Sequence, residues 1–166
     1  MATAEDYLNE AFAGESQANR KYLAYAEKAD RDGYPQVARL FRAAAAAETV
    51  HAHNHLRALK AIGSTADNLK DAITGETHEF KSMYPEMLEQ AKTDGHQAAE
   101  RSFHFALEVE KVHGDLYQAM LDNLDTAGKE DFAYYVCPVC GHTVGREAPD
   151  VCPICGTKGS MFKKMD

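Results

Sequence analysis

Two stretches of helical periodicity carry a glutamate and a histidine three residues apart within an apolar stripe: Glu48-Thr49-Val50-His51 and Glu110-Lys111-Val112-His113. Side chains at i and i+3 leave the same face of a helix. Around the first pair that face is Val37, Phe41, Ala44 and Ile62, so Glu48 and His51 are expected to point inward. A carboxylate directed into an apolar interior is costly unless something positive compensates it. The alanines before Glu48 let another helix or a ligand approach closely. Glu-x-x-His on paired helices is the ligand pattern of carboxylate-bridged dimetal sites in four-helix bundles, so the remaining ligands must come from the other helices.

The chain supplies them in order. Residues 4–30 read as a first helix, with Leu8, Phe12, Tyr22 and Ala26 at helical spacing and Glu15 on the same stripe. Gly33 suits a left-handed position after its end, and Pro35 opens a second helix that runs to about residue 62 and stops at Gly63-Ser64-Thr65. A third helix, capped by Thr65 or Asp67, continues to about residue 93. Its stripe is Leu69, Ile73, Phe80, Met83, Tyr84, Met87 and Ala91, with Glu76 inside it and Glu79 three residues on. Gly75 and Pro85 interrupt this helix, and the proline is expected to bend it. The fourth helix spans residues 96–124 and aligns Ala99, Phe103, Ala106, Glu110, His113, Tyr117, Leu121 and Leu124. Each helix thus places at least one carboxylate inward, and Glu15, Glu48, Glu76, Glu79 and Glu110 together would repel one another or take up protons. No lysine or arginine lies on these stripes, whereas two multivalent metal ions cancel the excess.

Up to residue 124 there is no cysteine, and all four cysteines then fall within Cys137-Pro-Val-Cys140-Gly and Cys152-Pro-Ile-Cys155-Gly. The composition shift divides the chain into a helical domain over residues 1–124, a linker over 125–134 and a metal-stapled module over 135–166. Each glycine permits the turn in which backbone N–H groups face sulfur. Four thiolates in tetrahedral array suit structural zinc or a single iron, and a redox dimetal site in the same chain favours iron. Tyr134, Tyr135, Val136, Ile154, Met161 and Phe162 are expected to form the module's apolar jacket, since so short a unit depends on metal to fold. The net charge of −8 argues against nucleic acid as a partner and suits a protein that holds cations. With an acidic start and no apolar run of membrane-spanning length, the expectation is a cytoplasmic protein with no membrane contact.

The assembled segments resemble the rubrerythrin family over almost the whole chain. They are Ala13-Gly14-Glu15-Ser16-Gln17-Ala18, Glu48-Thr49-Val50-His51, Gly75-Glu76-Thr77-His78-Glu79, Met83-Tyr84-Pro85, Glu110-Lys111-Val112-His113 and the two Cys-Pro-x-Cys-Gly knuckles. The resemblance implies an all-α, ferritin-like four-helix bundle with a non-haem di-iron centre, followed by a small rubredoxin-like β/knuckle domain holding one iron in Cys137, Cys140, Cys152 and Cys155, with zinc as a possible substitute. It implies reduction of hydrogen peroxide in oxidative-stress defence. Electrons would come ultimately from NAD(P)H, through a reductase and rubredoxin or another small carrier. Carried over by position, Glu48 and Glu110 bridge the irons, Glu15 is terminal on one, and Glu76 and His113 serve the other. Glu79 and His51 exchange on the first iron as the oxidation state changes, and Tyr22 and Tyr84 resemble phenols that hydrogen-bond ligand carboxylates.

The chain departs from the family pattern in having no tryptophan and in the short spacing from Glu48 to Glu76. In the usual ferritin-like topology the second and third helices run parallel. Residues 63–66 span at most about 14 Å, against a return of roughly 35 Å at 1.5 Å per helical residue. Either the topology is up-down-up-down, or the first two helices pack with the last two of another subunit; the second, a helix-swapped homodimer, is the expectation. The cysteine site of one subunit is then expected to face the helical cluster of another. Taken singly, Glu15 and Glu79 also fit surface residues, His51 and His113 hydrogen-bonded core histidines, and Tyr22 and Tyr84 plain core aromatics. A ferroxidase or iron-storage protein would use the same bundle but has little need for the cysteine module, and a zinc-ribbon interaction protein needs no inward carboxylates.

Overall fold

The structure, a computed structural model, describes residues 1–165. They form two compact units, residues 1–63 and residues 64 onward. The first is a helical hairpin, α1 (Ala4–Arg31) and α2 (Pro35–Ala58). Thr3 starts α1 with a capping box: its hydroxyl accepts from the Asp6 N–H at 3.2 Å, and the Asp6 carboxylate accepts from the Thr3 N–H at 2.7 Å. At the other end Gly33 adopts φ +82°, and the Tyr34 N–H closes back on the Ala29 carbonyl at 2.8 Å, the left-handed termination expected of that glycine. Pro35 then occupies the first turn of α2, where its missing N–H costs nothing.

The seam of this hairpin is alanine. Ala38, Ala45 and Ala52 recur every seventh residue on α2 and are buried, as are Ala26 and Ala29 on α1. Small side chains bring the backbones close enough for buried Asn19 to donate to the Ala45 carbonyl at 2.7 Å and to the Thr49 hydroxyl at 2.9 Å. Large apolar side chains go elsewhere: Val37, Leu40, Val50 and Ile62 are exposed. Val37 and Ile62 were expected on the inward face; a seam narrow enough for alanine leaves Val37 outside it, and Ile62 lies beyond the end of α2.

The second unit contains α3 (Thr65–His78), a π-helical turn (Glu79–Met83), α4 (Tyr84–Thr93) and α5 (Gln97–Asp122). Ser64 caps α3, accepting from the Asp67 N–H at 3.2 Å, so the cap lies one residue before the expected Thr65. Gly75 does not interrupt the helix. The interruption is the π turn just ahead of Pro85, in which the Tyr84 N–H reaches back five residues to the Glu79 carbonyl. Proline offers no N–H to the preceding turn and crowds the carbonyl four residues earlier, and widening that turn accommodates both effects. Because α3, the π turn and α4 continue in one direction, the described helices amount to four.

After α5 a short 3₁₀ turn, Ala127–Lys129, leads to a three-stranded antiparallel sheet ordered β2-β1-β3: β1 (Tyr134–Val136), β2 (Thr143–Gly145) and β3 (Lys163–Met165). Val136 pairs with Thr143 and with Lys163. Of the expected jacket residues Met161 is exposed, while the others are half-buried. No helix among the described residues is long and apolar enough to cross a membrane.

Candidate metal centres

The two units each carry the same constellation. In the hairpin, Glu15 on α1 meets Glu48 and His51 on α2, with donor atoms within 4.8 Å of one another. His51 Nδ1 lies 2.8 Å from Glu48 Oε2 and 3.9 Å from Glu15 Oε1. In the second unit, Glu76 on α3 meets Glu110 and His113 on α5, and His113 Nδ1 lies 2.8 Å from Glu110 Oε2 and 3.8 Å from Glu76 Oε1. The repetition has a sequence origin. Glu-x-x-His sets two groups one turn apart on one helix, and a single glutamate on the antiparallel neighbour closes the triangle. Glu48 faces the seam because it follows Ala45 by three residues and precedes Ala52 by four.

Exposure differs between the clusters. The His51 side chain is 53 % exposed, not enclosed as expected, because a two-helix hairpin covers only one side of its own ligands. His113 is 27 % exposed and Glu76 and Glu110 are each 19 % exposed. Burial, and then the neighbouring Glu110 carboxyl, pushes Glu76 up to about 7. Burial likewise raises Glu110. Glu79, in the π turn, is not one of the three converging ligands, yet its charge also helps to raise Glu76 and Glu110. Burial, reinforced by Glu79, Glu110 and Glu76, pushes the Tyr84 phenol upward. Tyr117 was expected only as part of the apolar stripe, but burial and the charges of Glu76 and Glu110 raise it in the same way. Tyr22 packs among aromatic rings, its centroid 6.1 Å from Phe41 and 6.4 Å from Tyr25.

The cysteine cluster has matching knuckles. Gly141 and Gly156 adopt φ +86° and +75°, and their N–H groups donate to the Cys137 and Cys152 carbonyls, each at 3.0 Å. The sulfurs of Cys137 and Cys155, and of Cys140 and Cys152, lie 3.5 Å apart, far beyond a disulfide bond of about 2.05 Å. A tetrahedral ion with metal–sulfur bonds of about 2.3 Å sets its sulfurs about 3.8 Å apart, so the cluster fits one with little movement. Burial pushes the Cys140 and Cys152 thiols up. At Cys155 burial acts in the same direction, but hydrogen bonds from Thr157 outweigh it and hold the thiol down, to about 6.

Oxygen and imidazole donors converge in each helical cluster, a set suited to iron, and the ion pairs of these four carboxylates are made with histidine. A proton retained at Glu76 near neutral pH sits where a cation would replace it. The donor chemistry therefore fits metal at all three places.

Within the second unit the knuckle lies against a helical cluster. Thr143, at the start of β2, has its hydroxyl 2.9 Å from His113 Nε2, and a side chain at Gly141 would meet Val109 of α5. The cysteine module is thus docked on its own chain's α5, because the turn after α5 folds it straight back. Asn19 and Thr143 are the residues of this architecture that helical periodicity alone did not single out.

A family model described as "Rubrerythrin" matches residues 6–121, and one described as "Rubrerythrin, rubredoxin-like domain" matches residues 135–163. Rubrerythrin-2 of Clostridium acetobutylicum is 42% identical, over 98% of this chain and 96% of its own length. Nigerythrin of Nitratidesulfovibrio vulgaris is 34% identical, over 89% of this chain and 79% of its own. Among solved structures, nigerythrin in its fully reduced, all-ferrous state superimposes with a TM-score of 0.60 at 31% identity, covering 99% of this chain and 88% of that one.

Proposed function

The chain belongs to the rubrerythrin family, and on that premise we propose that it is a non-haem di-iron peroxidase reducing hydrogen peroxide to water in cytoplasmic oxidative-stress defence. The observation that carries the proposal is the joint presence, in one chain, of two Glu/Glu/His clusters and a four-sulfur cluster. Glu15, Glu48, His51 and Glu79 would serve one iron, and Glu76, Glu110 and His113 the other, with Glu48 and Glu110 shared. Cys137, Cys140, Cys152 and Cys155 would hold a third iron, for which zinc can substitute. In this reading residues 1–124 form the di-iron domain, 125–134 the linker and 135–166 the rubredoxin-like domain. Rubredoxin or a similar small carrier, served by an NAD(P)H reductase, would deliver electrons.

Iron held by these carboxylates and histidines would supply redox chemistry, the two electrons that with two protons convert hydrogen peroxide into two waters. The protein's own groups do the rest. Burial and the carboxylate charges oppose ionisation of Tyr84 and Tyr117, so each would keep its O–H proton as a donor. Tyr22 is assigned the corresponding place in the hairpin. Glu79 brings one more negative charge toward Glu76 and Glu110, which would suit a more highly charged ion, while His51 would suit a less charged one, so the two would exchange as the charge of the ion changes.

Chain length argues for a helix-swapped homodimer. From Glu48 to the end of α2, and from the start of α3 to Glu76, the helices climb about 15 Å and about 16 Å. The connection over residues 59–64 reaches at most about 25 Å, short of the roughly 31 Å that a parallel return would need.

Iron analysis and visible spectroscopy of the purified protein test the function, followed by reoxidation of the reduced protein with peroxide. The expected result is about three irons per chain, thiolate-to-ferric absorption, and rapid peroxide turnover that falls on the order of 100-fold or more in Glu110→Ala. Mineral accumulation with oxygen and no peroxide turnover would instead favour iron storage. Zinc in the cysteine site with empty carboxylate clusters would favour an interaction protein.

A further inference from the structure

The hydrogen bond joining α5 to β2 has a direction. Thr143 Oγ1 has one proton to give, and it goes to the Gly141 carbonyl oxygen at 3.0 Å. What remains to the hydroxyl is acceptance. Its neighbour 2.9 Å away is His113 Nε2, which must therefore be the N–H side of the ring. A neutral imidazole carries one N–H, so Nδ1 keeps its lone pair. Nδ1 is the atom 2.8 Å from Glu110 and 3.8 Å from Glu76. The ring then brings a lone pair and no hydrogen of its own to the triangle, which is what a cation there requires of it.

We propose that Thr143 is a positioning residue for metal binding at the Glu76, Glu110 and His113 cluster: its hydroxyl, held by the Gly141 carbonyl, keeps His113 in the Nε2–H tautomer and aims Nδ1 at the carboxylates. The assignment rests on the reading that this cluster binds metal. It adds that the cysteine module orients a ligand of the helical cluster within the same chain. Thr143 lies three residues after Cys140 and is anchored to the peptide that follows it. The knuckle and His113 are thus two ends of one hydrogen-bonded chain, and Val109, one turn before His113, packs under the same glycine.

The test uses full-length protein loaded with zinc, a diamagnetic probe that fills the four-sulfur site and titrates the carboxylate clusters. Two-bond proton–nitrogen correlations on ¹⁵N-histidine protein report the tautomer of His113, and a competition titration reports zinc affinity. Expected for the native chain are a protonated Nε2 and a metal-shifted Nδ1. Thr143→Val keeps the shape and removes the acceptor; it should weaken zinc at this cluster by about 10- to 100-fold and spread His113 over both tautomers. Thr143→Ser should restore affinity to within about threefold and restore the tautomer. Retention of zinc at the four cysteines in all three proteins shows that the module remains folded. Native affinity and an unchanged His113 spectrum in Thr143→Val would overturn the proposal. If the native chain takes up zinc only at the cysteines, the metal-binding reading fails by itself. The tautomer then still decides: protonated Nε2 in the native chain, lost in Thr143→Val, supports the role of Thr143, and protonated Nδ1 in the native chain refutes it.

Discussion

Glu76 ties the stability of the metal-free protein to pH in the direction opposite to an ordinary salt-bridged carboxylate. Its folded-state value is about 7, against 4.5 for the free side chain. Between those values the folded chain binds the extra proton, so stability is unaffected below about pH 4.5, falls as pH rises toward 7 and is flat beyond it. Glu110 is raised too and adds the same sign. Metal-free protein, followed by its helical circular dichroism, should therefore melt at a lower temperature at pH 8 than at pH 5, and Glu76→Gln should flatten that slope. Loading the cluster with metal replaces the proton and should abolish the loss, since deprotonated ligands bind best. A melting temperature that climbs from pH 5 to pH 8 without metal would show that Glu76 is not held in its protonated form. The Glu-x-x-His pairs could be foreseen because ligands on one helix obey its periodicity. Thr143 could not: its partner is thirty residues away, on an element of different period. Tyr117 follows His113 by one turn and was visible as a stripe residue, but its response to the carboxylates depends on burial that a stripe does not measure.

Elements show the same division between local signals and tertiary ones. The far end of α1 could be read directly, because Gly33 acts on its own neighbours; the Thr3–Asp6 capping box at its start is equally local. The end of α2 was misplaced toward Gly63. The helix in fact stops at Ala58, with Lys60 in the left-handed region at φ +56° and the Ala61 N–H closing on the Leu56 carbonyl at 3.0 Å. A lysine there gives no stop signal and carries a steric cost of about 1–2 kcal/mol. Lys60→Gly relieves that strain, partly offset by the greater freedom of glycine in the unfolded chain. The expected net gain is about 0.5–1 kcal/mol, measured by urea denaturation; a loss of stability would mean that the lysine side chain makes a compensating contact. The π turn before Pro85 was likewise anticipated only as a bend. It keeps Glu76, upstream, and Tyr84, downstream, in electrostatic reach of one another on either side of a proline that would otherwise break the helix.

At the scale of the molecule, each helical unit holds a Glu/Glu/His cluster, and the swapped-dimer proposal states how two such halves would complete a site. A mixing experiment decides it through genetics of the simplest kind. In a swapped dimer, one site combines the hairpin of the first chain with the α3–α5 unit of the second, and the other site combines the reverse. Chains carrying Glu48→Ala and chains carrying Glu110→Ala each form homodimers in which every site lacks a shared ligand. In a heterodimer the two lesions fall together in one site and the other site is intact. Unfolding the two variants together and refolding them with iron at equal amounts should yield half heterodimers, and so recover about one quarter of the native peroxide turnover and di-iron absorption. Mixing without unfolding should recover nothing until subunits exchange. If each chain completes its own site, every site keeps one lesion and no mixture regains activity. The cysteine clusters are native in all combinations, so their absorption normalises the amount of folded protein and separates failed complementation from failed refolding.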